Sequence, residues 1–235
     1  MGFYHIGYDV VFNGIKGSSL NVLPVRRPNI PAPEYEREEI VIPGRDGIMT
    51  GSKRLLPIEI PVDFNFKAAK ERWASQFREV KKWLKGSGRL EFSDDEDFYF
   101  KVIYVNIEDV ERPHWNIGTF TAVFVCDPYM YLVKGDREYP VAEIQNNPYE
   151  VAHPTYILRG YSEETVLTVN GYEVTMSVDG TLVIDTDLMQ AYDAEGNLAN
   201  TSVIGDYADL YLKEGKNEVL VSSGGMTVIP NWRTL

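Results

Sequence analysis

The chain contains one cysteine, Cys126, so no internal disulfide can form. Its flanks, Ala122-Val123-Phe124-Val125 and then Asp127-Pro128, make it a small buried apolar side chain at a strand end, not a nucleophile. Histidine is almost as scarce. His5, His114 and His153 stand apart, and none has a second His or Cys at zinc-ligand spacing, so no metal site is expected. No run of about 18 apolar residues occurs, so no membrane insertion is expected. The opening Met1-Gly2-Phe3-Tyr4-His5-Ile6 lacks the regions of a secretory signal, and Ile6 stands where a myristoylation motif wants Ser or Thr. There is no Gly-x-Ser-x-Gly elbow, and Gly14 to Gly17 lacks the Lys-Ser/Thr and the helix of a phosphate-binding loop. Basic residues are in deficit: 23 Lys and Arg against 35 Asp and Glu leave a net charge of −12, which argues against a general or sequence-specific nucleic-acid surface. These absences leave no residue with a catalytic, cofactor-binding or metal-binding role, so neither an enzyme nor a cofactor is expected.

What is present is β pattern. The 235 residues, 44% hydrophobic and 12% aromatic, suffice for one large domain or two modest ones. Residues 3–23 alternate between turns. Pro24 to Pro33, with four prolines and with Arg26 and Arg27, reads as an extended loop. Ile40-Val41-Ile42 leads into a tight turn at Gly44-Arg45-Asp46-Gly47. Residues 55–64 alternate with period two, and Pro57 and Pro61 fall on one side, as in an edge strand. The period then changes. Ala69, Trp73, Phe77, Val80 and Leu84 predict a helix over Lys67–Leu84, with Asn65 as N-cap and Gly86 as stop. Its other face carries Lys70, Arg78, Lys81, Lys82 and Lys85, read either as a solvated face or as a surface for an acidic neighbouring subunit. Arg89–Phe92 and Tyr99–Val105 form a hairpin with Asp94–Asp97 as its turn, and Gly118–Val125 is a further strand.

The polar turn-formers near 132–152 mark a boundary, after which the chain is β only. Asn170-Gly171, between two alternating runs, predicts a hairpin. The fold class is therefore mainly β: an N-terminal β-sandwich with one packed helix (1–132), a linker (133–152), and a C-terminal β-sandwich or jelly roll (153–235). Asp185, Asp187 and Asp193 are the obvious carboxylates for a hydrolase, and nothing beside them supports that chemistry. The 15 Tyr and 4 Trp make a carbohydrate-binding protein, recognising host-surface glycans, the alternative function. A coplanar exposed Tyr/Trp row in residues 150–235 would mark it.

The order of these segments resembles the distal tail protein (Dit) family of non-contractile phage and prophage tails. The carriers are Phe12-Asn13-Gly14, Arg27-Pro28…Pro31-Ala32-Pro33, Ile42-Pro43-Gly44-Arg45-Asp46-Gly47, the helix ending in Trp83-Leu84, and Arg89-Leu90-Glu91-Phe92-Ser93-Asp94-Asp95 with Tyr99-Phe100. Phe124-Val125-Cys126-Asp127-Pro128-Tyr129, Val169-Asn170-Gly171 and Leu212-Lys213-Glu214-Gly215-Lys216-Asn217 complete the pattern. In the last motif Glu214 stands where the family usually has Pro. The resemblance implies a homohexameric ring at the tail tip, joining the tail tube to the tail-associated fibre or lysin protein, and a galectin-like or carbohydrate-module-like C-terminal β-sandwich on the outside. The tape-measure and receptor-binding proteins are implied as further neighbours, and the virion as the location, after synthesis in the bacterial host cytoplasm. For a ring contact, Arg26, Arg27, Arg45 and Arg54 are expected to meet acids such as Asp94, Asp95 and Asp97 of a neighbour, with Asp46 in the Gly-hinged turn.

Overall fold

Ile58, Ile60, Val62, Phe64 and Phe66 alternate with polar residues and Pro61, and they form one strand whose apolar side is buried throughout. The structure, a computed structural model, describes residues 7–40, 43–44, 46, 49–142 and 144–235. It divides into two units, Met1–Met130 with Leu235, and Tyr131–Thr234.

The strands of unit one are β1 (Val10–Phe12), β2 (Ile15–Lys16), β3 (Val22–Pro24), β4 (Tyr35–Ile40), β5 (Met49–Leu55), β6 (Ile58–Lys67), β7 (Gly88–Phe92), β8 (Asp95–Ile107), β9 (Glu111–His114) and β10 (Ile117–Leu132), with helix α1 (Trp73–Trp83) between β6 and β7. They order as β2-β1-β7-β8-β10-β6-β3, with β9 against β10; β4 and β5 form a separate two-stranded sheet. The β6–β10 ladder runs unbroken from Ile58 opposite Cys126 to Lys67 opposite Ile117. On its other side β6 meets β3 only at Phe64–Phe66, so Pro61 lies where that edge has no strand partner and its missing N–H costs nothing.

The helix begins later than its periodicity predicts. Asn65 caps nothing: Phe64 and Phe66 prolong the strand alternation, β10 supplies a ladder as far as Lys67, and α1 starts at Trp73 after a 3-10 turn at Lys70–Arg72. A pre-formed ladder outcompetes the costly nucleation of another helical turn. The buried side of α1 carries Phe77, Val80 and Trp83. Phe66 sits among Trp73, Phe77 and Phe120, at centroid distances of 5.3, 5.8 and 6.2 Å. Both indoles also donate across the interface, Trp73 Nε1 to the Ile117 carbonyl and Trp83 Nε1 to the Phe12 carbonyl, each at 3.2 Å. The β7–β8 turn is shorter than the acidic run predicted: Phe92 pairs with Asp95, so Ser93 and Asp94 alone turn the chain and Asp95–Asp97 belong to β8.

Unit two contains β11 (Tyr139–Pro140), β12 (Ile144–Asn147), β13 (Thr155–Val169), β14 (Tyr172–Asp185), β15 (Gln190–Tyr192), β16 (Val203–Ile204), β17 (Gly215–Val221), β18 (Gly225–Ile229) and β19 (Arg233–Thr234). Its order is β11-β18-β13-β14-β15, with β17 against both β12 and β13 and β16 against β14. The stretch 133–152, expected as a linker, contributes β11 and β12 to this pairing. β13 and β14 are joined by Asn170 (φ 53°) and Gly171 (φ 85°), the left-handed pair that a two-residue hairpin needs. Asn217 explains the Gly-x-Asn motif. Fully buried, its Oδ1 accepts from Lys213 N (2.8 Å) and Asn170 Nδ2 (2.9 Å), while its Nδ2 donates to the carbonyls of Lys213 (2.8 Å) and Gly215 (3.1 Å). One side chain thus ties the 213–217 turn to the tip of the β13–β14 hairpin. The whole is mainly β, a helix-packed antiparallel β unit followed by an all-β one, as the strand pattern requires.

Candidate subunit interface

The described residues expected at a subunit contact fall at two places in unit one, and a third candidate surface lies on the same unit. The proline-rich loop after β3 carries Arg26 and Arg27. Arg27 Nε binds Asp94 Oδ2 at 2.5 Å in the same chain, and its guanidinium lies 5.8 Å from the Phe92 ring. Arg26 is largely exposed and pairs with Asp63 at 3.4 Å, while its carbonyl accepts the Tyr8 hydroxyl. Burial first, and Asp94 second, push the Tyr8 phenol up to about 12. The loop is therefore clamped to its own β7–β8 hairpin, and Asp94 serves that clamp. Asp95 is half-buried at the start of β8, and Asp97 is exposed. An apolar groove of about 460 Å³ runs along the loop, bounded by Ile30, Pro31, Pro33, Phe100 and Met130.

The second place is the β4–β5 hairpin. Arg54 pairs with Glu36 directly across it, Tyr35 at its base is half exposed, and Asp46 is exposed beyond β4. Arg45 lies outside the described residues. Among the described residues the hairpin pairs with no other strand. Two strands alone are marginal in water, and their open edges are templates for pairing with another chain.

The third place is one that sequence spacing did not single out. An open groove of about 900 Å³ crosses β6 and β10 and is lined by Val25, Asp63, Asn65, Glu108, Asp109 and Glu111. Glu108 and Asp109 lie between β8 and β9 and Glu111 opens β9, whereas Asp63 comes from β6 much earlier in the chain, so no local motif announces the groove. Asp63 is held by the Thr121 hydroxyl at 2.9 Å as well as by Arg26.

In unit two, His153 is the centre of a polar cluster. Its Nδ1 lies 2.7 Å from Asp187 Oδ1, its Nε2 lies 2.8 Å from the buried Arg233 guanidinium, and Tyr211 stacks on the ring at 3.9 Å. Arg233 can only donate, so Nε2 accepts and the proton on Nδ1 faces Asp187. An imidazole held at both nitrogens and one face is a structural element, with no nitrogen left to act as a general base. The other carboxylates are also engaged: Asp185 accepts the Asp187 and Leu188 N–H groups, and hydrogen bonds from Asn197 lead those that hold Asp193 below the usual carboxylate range. Among the described residues no cluster of His, Cys, Asp and Glu suits a metal ion. Among the described side chains of residues 150–235, Tyr172 is the one exposed large aromatic, with Lys213 Nζ 5.5 Å from its ring, so no exposed Tyr/Trp row is formed there.

Residues 15–126 match the phage tail protein RIFT-related domain family. In structure the chain is similar to SPP1 Dit (gp 19.1), described as a paradigm of hub adsorption apparatus in Gram-positive infecting phages. That likeness has a TM-score of 0.68 at 15% identity, over 94% of this chain and 97% of the other. It is also similar to a chain of the phage P2 baseplate in its activated conformation with Ca, with a TM-score of 0.50 at 10% identity over 97% of both chains. No curated protein matches by sequence. The strand order, the helix and the matched domain agree: this chain has the fold of SPP1 Dit, and its residues 15–126 are similar to the phage tail protein RIFT-related domain.

Proposed function

We infer that the protein is a non-enzymatic structural hub of the tail tip, six copies closing head-to-tail into a ring through unit one. In this reading the ring joins the tail tube to the tail-associated fibre or lysin protein, and residues 153–235 form the outward domain on which receptor-binding parts mount. It is a component of the virion tail, assembled in the host cytoplasm. The observation that supports the ring is the β4–β5 hairpin, a long ribbon outside the main sheet that pairs with no other described strand. Such a ribbon gains stability by docking on a neighbour, and a contact between unlike surfaces closes into a ring when the rotation permits. The test is light scattering behind a sizing column, with negative-stain images. The wild type, at 26.7 kDa per chain, is expected to give rings of about 160 kDa. A variant in which a two-residue Asn-Gly turn replaces residues 36–54, joining Tyr35 to Leu55, is expected to stay monomeric. A wild type that stays monomeric at about 100 μM, or a deletion variant that still forms rings, would overturn the reading.

A further inference from the structure

The outward face of α1 and the acidic groove on β6–β10 are complementary, and they point in opposite directions. Phe64, Phe66 and Phe120 direct one side of the β6–β10 ribbon at α1. Asp63, Asn65, Thr119 and Thr121, at the alternate positions, line the groove on the other side. Beyond the ribbon, the outer face of α1 and the turn after it carry Arg78, Lys82 and Lys85, all exposed and spaced to lie in one stripe. Among the described residues none of these three has an ion partner in its own chain, and neither do Glu108, Asp109 or Glu111, which are equally exposed. A chain of net charge −12 approaching a copy of itself is repelled overall, so association needs a local match of opposite sign.

We propose that the basic stripe of α1 docks into the acidic groove of the next copy, a second element of the head-to-tail ring contact alongside the β4–β5 ribbon. Because the two surfaces lie back to back, one protomer cannot neutralise them, and a two-fold dimer cannot bring both pairs together in one flat interface. Each contact leaves one free groove and one free stripe, which is the condition for a chain of copies that ends only by closing. Groove and stripe are both long-range and solvent-edged, so the contact sets register and weakens as salt shortens the screening length from about 10 Å at 0.1 M to about 3 Å at 1 M.

This inference rests on the ring reading above, and the experiment separates the two. Two full-length variants are made, Lys82→Glu/Lys85→Glu and Glu108→Lys/Asp109→Lys, and assembly is followed by light scattering at low and at 1 M salt. Each alone is expected to associate at least tenfold more weakly than wild type, since it opposes like charges. An equimolar mixture restores assembly, because the acidic groove of the first accepts the native stripe of the second and the reverse also holds. Alternation of the two fits a ring of even number. Circular dichroism identical to wild type confirms that both variants are folded. If the wild type forms rings and either variant does so equally well, or if the mixture fails to recover assembly, this contact is wrong while the ring stands. A wild type that never associates removes both.

Discussion

Gly118 offers a direct measure of how the helix is locked to the sheet. A Cβ built there would lie 2.1 Å from Phe66 Cε1 and 2.2 Å from its Cζ. The Phe66 ring has to move by more than an ångström to admit it, yet Trp73, Phe77 and Phe120 surround it within centroid distances of 5.3 to 6.2 Å. Gly118→Ala therefore overpacks the α1 contact, at a cost of about 2–3 kcal/mol after the gain of up to ~1 kcal/mol that Ala brings over Gly in a strand. Phe66→Ala removes the ring and is expected to cost about 3–5 kcal/mol. In the Phe66→Ala background the clash is gone and Gly118→Ala becomes neutral or slightly stabilising, so the coupling of the pair is on the order of 2–4 kcal/mol. Urea unfolding by tryptophan fluorescence reads this well, because Trp73, Trp83 and Trp115 all lie in unit one. If Gly118→Ala costs the same in both backgrounds, within about 0.5 kcal/mol, the ring is not what excludes a side chain there and the packing argument fails.

Burial pushes the Cys126 thiol up to about 12, with Asp127 adding to it; at pH 8 only about one thiol in 10⁴ is ionised, so a thiol reagent should react at the rate of unfolding and not with the folded protein. The raised phenol of Tyr8 contributes stability that is complete below pH 10, its unfolded value, and is lost as pH rises through about 12. The stability difference between wild type and Tyr8→Phe, from urea midpoints between pH 9 and 12, should therefore fall with pH, and a flat difference would count against the buried donor. Asn217→Ala strips partners from several buried backbone groups and should destabilise unit two by about 2–4 kcal/mol, while Asn217→Asp, which keeps the acceptor and loses the donor, should fall between. Arg233→Met leaves His153 and the Val151 carbonyl without the donor they share; a loss of about 1–3 kcal/mol is expected, read by chemical denaturation.

Much of the chain was legible because its signals are local. Asn13-Gly14 and Asn170-Gly171 select left-handed two-residue turns by their own conformational preferences, and both fall there. The alternation of 58–66 and the spacing of Trp73, Phe77 and Val80 by four and then three residues set strand and helix, since burial of one face needs only that period. The start of the helix was not legible. Whether residues 65–72 coil or extend depends on β10 supplying a ladder from some fifty residues away. The acidic run offers the same lesson, because Phe92 pairing with Asp95 makes strand of residues that composition marks as turn. At the candidate interface, the charged residues could be named from sequence but not assigned. Arg27 reaches Asp94 of its own chain only because the proline-rich loop folds back over β7 and β8.

By itself, then, the sequence determined the class of the protein. One cysteine, scattered histidines, an acidic balance, period-two runs and a single amphipathic helix leave a mainly β chain with one packed helix, and their order carries the likeness to distal tail proteins. Tertiary structure alone decided which charges are already satisfied and which are left over. It also left β4–β5 outside the sheet and set an acidic groove and a basic helix face on opposite sides of one ribbon. The physical reason is range: backbone preference and burial period act within a few residues, whereas ion pairing and edge exposure are set by whatever the fold brings within a few ångströms.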